Sequence, residues 1–89
     1  MEMKAKEQNK LKEFMTEHKI NQIALAGRVG ISAVYMNQIC NGHKTPGAMA
    51  GRVVNALRSL TGKHRGMLTV ETIFEQVDAR YVVREAVEK

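Results

Sequence analysis

Tryptophan is missing from this 89-residue chain, and cysteine and proline each occur once, as Cys40 and Pro46. A lone cysteine excludes an internal disulfide. The three histidines, His18, His43 and His64, stand 25 and 21 residues apart, without the close pairing a zinc site needs. The expectation is a reducing, cytoplasmic setting and no bound metal or other cofactor. No run approaches the roughly 20 apolar residues of a membrane span, and the N-terminus alternates Lys and Glu instead of leading into an apolar stretch. No export signal or membrane partner is therefore expected.

The most telling absence is of acid. Between Glu17 and Glu71 there is no Asp or Glu, while Lys19, Arg28, Lys44, Arg52, Arg58, Lys63 and Arg65 fall in that window. Residues 1–66 carry eleven Lys and Arg against four Glu, a balance of +7, and residues 67–89 carry three against five, a balance of −2. Solvated surfaces usually mix signs, since both give solubility and helical ion pairs. A one-signed middle points to a polyanion, with double-stranded DNA the first candidate. It argues against an enzyme too, because no carboxylate is available there as a base and no nucleophile motif is visible. GRVG and GKHRG are too short and wrongly placed for a nucleotide-binding loop.

What is present suits one small domain. Chains of this size bury only about 60–65% of their unfolded surface, so association of subunits is a common remedy for a marginal core. With 44% hydrophobic and 26% charged residues the composition is that of a folded protein. Leu11, Phe14, Met15 and His18 recur at helical spacing and predict a first helix from about Ala5 to His18. Asn21 is a good cap for a second, short helix through Leu25, Ala26 and Val29, which Gly30 stops. Ser32 caps a third with Met36 and Ile39 as its apolar positions and Gly42 as its terminator, and Ile31 is placed to staple the turn to the core. Thr45 as cap and Pro46 at the first helical position predict a fourth, with a stripe of Met49, Val53, Leu57 and Leu60, ending at Gly62. After the basic hinge GKHRG, Val70, Ile73, Phe74, Val77 and Tyr81 lie on one side of a last helix, with Thr72 and Glu75 spaced as a capping box. Leu68, Val70, Thr72 and Phe74 also alternate, so a strand is the alternative for its opening.

The chemistry concentrates between Asn21 and Gly42. Two short helices packed at about 90–120° need a small residue where they touch and a glycine in the turn, and Ala26 and Gly30 supply them. With Val29, Ile31, Met36 and Ile39 turned inward, Ala33, Val34, Tyr35, Asn37, Gln38 and Asn41 are left on an outer face without charge. Base edges in a major groove are read by amides, hydroxyls and apolar groups, with cations best placed to either side over the phosphates.

The 26 residues NQIALAGRVGISAVYMNQICNGHKTP, from Asn21 to Pro46, resemble the helix-turn-helix of the lambda repressor and Cro family, also called the XRE family. Gln22, Ala26, Gly30, Ile31, Ser32, Ile39 and Gly42 match its pattern. Where many relatives carry acids, this chain has Ile23 and Cys40. The resemblance implies a compact helical DNA-binding domain over residues 1–66, its helix-turn-helix at 21–42; with residues 67–89 as a C-terminal segment of the same small domain, the fold expected is all-α with five helices. The resemblance further implies base reading by Ala33, Val34, Tyr35, Asn37 and Gln38, and phosphate contact by Gln22 and Asn41; Asn21 beside Gln22, and Lys44 in the loop after the third helix, are expected to contact phosphate as well.

One such unit reads only about four to six base pairs, so a homodimer on a two-fold operator is expected. Its dimer contact is assigned to Val70, Ile73, Phe74, Val77 and Tyr81, and truncation after Gly66 is expected to leave a folded monomer. The function expected is that of a transcriptional regulator, most simply a repressor. The alternatives are an antitoxin-type protein whose last segment holds a toxin, and a module that binds proteins through its third helix.

Overall fold

The computed structural model describes residues 9–63 and 68–85. The expected start of the first helix at Ala5 and the centre of the basic hinge lie outside these residues. The described chain forms five helices, α1 (Lys10–Glu17), α2 (Gln22–Val29), α3 (Ala33–Cys40), α4 (Gly47–Thr61) and α5 (Val70–Ile73). It also forms three strands, β1 (Thr45–Pro46), β2 (Phe74–Val77) and β3 (Arg80–Val83), in one antiparallel sheet ordered β1-β3-β2. The protein is thus mostly helical but not all-α. No helix among the described residues is long and apolar enough to cross a membrane.

Local chemistry accounts for the helix ends. Asn9 accepts from the Lys12 amide at 2.9 Å and starts α1. Buried almost completely, it also donates through Nδ2 to the Cys40 carbonyl at 2.8 Å, so the start of α1 is fastened to the end of α3. At the other end, the Ile20 amide reaches the Met15 carbonyl and the Lys19 amide that of Thr16, a paired closure that requires a left-handed residue at position 19. That residue is Lys19, with φ 56°. Asn21 Oδ1 accepts from the Ile23 and Ala24 amides at the head of α2, and Ser32 Oγ from the Tyr35 amide at the head of α3. Gly30, with φ 91°, makes the turn between them, and both its amide and that of Ile31 converge on the Ala26 carbonyl.

α4 runs through the middle of the molecule and buries Ala50, Val53, Val54, Ala56 and Leu57. The expected stripe is therefore rotated, since Met49 is half-buried and Leu60 exposed. Pro46 stands before the helix as its cap residue, with no side-chain cap bond, because Thr45 and Pro46 are taken up as β1. Thr45 is fully buried and turns its hydroxyl to the His43 carbonyl at 3.1 Å.

The largest departure is at the C-terminal segment. The expected long helix is one turn, α5, whose start is tied by the Thr69 amide donating to Thr72 Oγ1 at 3.2 Å, so Thr72 partners Thr69 and not Glu75. From Phe74 the chain is extended, turns at Asp78 (φ 58°) and returns as β3. Pairing of Phe74 with Val83 puts that end of the hairpin on the core, while Gln76, paired with the half-buried Tyr81 on the same face, is exposed. Pairing of Thr45 with Tyr81 then joins it to the loop after α3. A helix would satisfy α5 to Tyr81 locally. It would leave Thr45 and Pro46 without a strand partner and could not place both Phe74 and Val83 in the interior.

Candidate nucleic-acid interface

At about 100° per residue, Ala33, Val34, Asn37, Gln38 and Asn41 fall on one side of α3. All are exposed except Asn41, which is half-buried, while Met36, Ile39 and Cys40 on the other side are fully buried. Tyr35 departs from the expected reading face. It lies on the flank of the helix and is half-buried against the core.

Val34 leaves 69% of its surface exposed, as does Ile23, each in the first turn of its helix. Apolar side chains this exposed contribute little to the core and are available for contact.

The polar groups around this face are interlocked. Gln22, at the head of α2, donates through Nε2 to Asn37 Oδ1 at 3.3 Å. Asn41 Oδ1 accepts from Lys12 Nζ at 2.9 Å, which brings a cation from α1 to the end of α3. Asn21 spends its side-chain oxygen on capping α2, so only its amide nitrogen remains to meet a phosphate. Lys44 is exposed in the loop that leads into β1.

Beside the head of α2 lies a cavity of about 400 Å³, lined by Lys12, Met15, Thr16, Lys19, Ile20 and Gln22. The first turn of α2 holds no acid, and a helix start carries a partial positive charge from its unpaired amides. Two lysines, a threonine and a glutamine thus line one recess beside that helix start. None of Lys12, Thr16 and Lys19 is among the residues expected to contact phosphate. The spacing of Lys12, Thr16 and Lys19 at i, i+4 and i+7 places them on one face of the first helix and was the available signal.

Cys40 has no reactive character. Burial pushes its thiol up to about 11, opposed by the Lys12 ammonium nearby, so it stays protonated at neutral pH. Among the described residues, no group of three His, Cys, Asp or Glu could hold a metal ion.

The five residues assigned to a dimer contact do not form one stripe. Ile73 and Phe74 lie within the core, at 1% and 0% exposure. Val70 and Tyr81 are half-buried against it. Tyr81 also covers Gly47, where a Cβ would meet its ring at 3.2 Å. Val77 sits half-buried on the outward face of the hairpin, which it shares with Val82. No protein-family model, curated protein sequence or solved structure matches the chain.

Proposed function

We propose that this protein is a sequence-specific DNA-binding transcriptional regulator of the cytoplasm that lays α3 in the major groove. The observation that carries the reading is the uncharged, exposed side of α3 set among cations, in a stretch with no acid from residue 18 to residue 70. Asn37 and Gln38 have amides that match adenine N6 and N7, and Ala33 and Val34 offer apolar contact to a thymine methyl. Gln22, the Asn21 amide nitrogen, Lys12, Lys19, Asn41 and Lys44 would hold the phosphates on either side and set the register of α3.

Binding as a homodimer fits the dimensions. Half-sites recur about every 34 Å along the duplex, and the protomer measures 35 × 29 × 28 Å. With Ile73 and Phe74 committed to the core, the dimer contact is left to the outward hairpin face around Val77 and Val82. Blocking of polymerase by an occupied operator makes repression the simplest outcome.

The test is selection from randomised duplexes at about 150 mM salt, where phosphate attraction alone is weakened. Enrichment of an inverted repeat supports the reading. Retention without sequence preference, collapsing as salt rises, overturns it.

A further inference from the structure

We propose that the cleft between α2 and α4 is a binding site for a small organic anion, and that its occupancy weakens operator binding. The regulatory half of the proposal rests on the DNA-binding reading above; the site itself does not. The cleft has a volume of about 340 Å³ and is lined by Arg28, Val29, Arg52, Asn55, Ala56 and Ser59. That volume is at the lower end for small-molecule sites, about 300–1,000 Å³.

Its chemistry selects the ligand class. Arg28 is exposed and makes no hydrogen bond or ion pair with any other described residue. Arg52 uses Nη2 on the Val29 carbonyl and keeps its remaining N–H groups. Asn55 Oδ1 already accepts from Arg58 Nη1 at 2.8 Å, so the amide nitrogen is the group left to a ligand. Ser59 adds a hydroxyl. The acceptor is occupied and the free groups are donors, two of them on guanidinium cations, which pair well with carboxylate or phosphate oxygens. Val29 and Ala56, both nearly buried, form an apolar floor for a short aliphatic body.

The cleft is separate from the reading face. Arg28 is six residues beyond Gln22 on α2, about 9 Å along the axis and rotated by about 120°. Yet it is linked to that face through the turn. Arg52 Nη2 lies 2.6 Å from the Val29 carbonyl, and a Cβ on Gly30 would meet the same nitrogen at 3.0 Å. The guanidinium thus braces the residues that set α2 against α3. An anion that draws Arg52 toward Arg28 unlatches the Val29 carbonyl and loosens the angle between the two helices.

The experiment is a titration of ¹⁵N-labelled protein with succinate and, separately, with inorganic phosphate, each against sodium chloride at matched ionic strength. Saturable shifts centred on the amides of Val29, Arg52 and Ser59 are expected, weakened at least about ten-fold in Arg28→Gln and unchanged in Arg80→Gln on the hairpin. Which probe saturates identifies the oxyanion as carboxylate or phosphate. Shifts that follow ionic strength alone, or equal losses in both variants, overturn the site. With a selected operator, the saturating anion should lower affinity about five-fold in the wild type and leave Arg28→Gln unaffected. Saturable binding with unchanged operator affinity overturns the regulatory half. If the protein selects no operator at all, the DNA-binding reading fails while the anion titration still decides the cleft.

Discussion

Gln22 Nε2 donates to Asn37 Oδ1 across 3.3 Å, joining the first residue of α2 to the middle of the exposed side of α3. The bond is long and solvent-exposed, so it adds little to stability, no more than about 0.5 kcal/mol. Its consequence is positional, because it engages the Asn37 oxygen and leaves the amide nitrogen for another acceptor. Asn37→Ala should cost about 1–3 kcal/mol of discrimination at one base pair. Gln22→Ala should weaken binding to all sequences and, through the lost bond, relax preference at that same base pair. Competition binding with singly substituted operators measures both. Strict additivity in the double variant would falsify the coupling.

The C-terminal segment is part of the interior. Leu68, Ile73, Phe74 and Val83 are all at most 7% exposed and pack with α1 and α4 residues in one cluster. Truncation after Gly66 removes all four, so the shortened chain should lack a cooperative unfolding transition and not behave as a folded monomer. Phe74→Ala alone should cost about 3–5 kcal/mol, a large share of the roughly 4–13 kcal/mol total typical of this length. Val77→Ala should cost less than about 1.5 kcal/mol while shifting the dimer equilibrium in sedimentation. Urea unfolding followed by circular dichroism separates the cases.

Lys19 combines a backbone cost with a charge benefit. Its left-handed φ of 56° is needed to close α1, and a side chain there costs about 1–2 kcal/mol that glycine avoids. Lys19→Gly should therefore raise the unfolding free energy by up to about 1 kcal/mol. It should also weaken DNA binding and lower the salt slope by about one counterion, if the recess beside α2 holds a phosphate. A stabilised variant with an unchanged salt slope would remove Lys19 from the interface.

Stability above neutral pH should depend on Cys40. Burial raises its pKa from 9.0 to about 11, so the folded state holds its proton more tightly than the unfolded chain. The resulting stabilisation is complete below about pH 9 and is lost as pH rises through 11, an effect on the order of 2 kcal/mol. Cys40→Ala should flatten that part of the profile relative to the wild type. Urea midpoints at about pH 8 and about pH 10.5, taken on both proteins, test the sign. Native Cys40 should also resist alkylation until the chain unfolds.

Much of the molecule up to residue 62 was legible because its signals are local. Asn21, Ser32, Gly30 and Gly62 act within a few residues of themselves, through a cap bond or a positive φ, and their neighbours in sequence are enough to reveal them. The uncharged side of α3 and the acid-free middle of the chain are likewise visible in order and composition. Tyr35 is counted on that side only because it remains once Met36 and Ile39 turn inward, whereas its half-burial depends on the elements packed around it.

Sequence by itself determined where α2 and α3 begin and end, and which sign of charge surrounds them. Tertiary structure decided the C-terminal segment. Val70, Ile73, Phe74, Val77 and Tyr81 satisfy a helical period, and the segment's opening can also be read as a strand, so propensity does not choose between the two. The choice falls to Thr45 and Pro46, some 35 residues earlier, which give β3 its second partner, and to the core in which Phe74 and Val83 are both buried. The links from Lys12 to Asn41 and from Arg52 to Val29 have the same origin. Each spans more than 20 residues, and only the packed core brings its two ends within hydrogen-bonding reach.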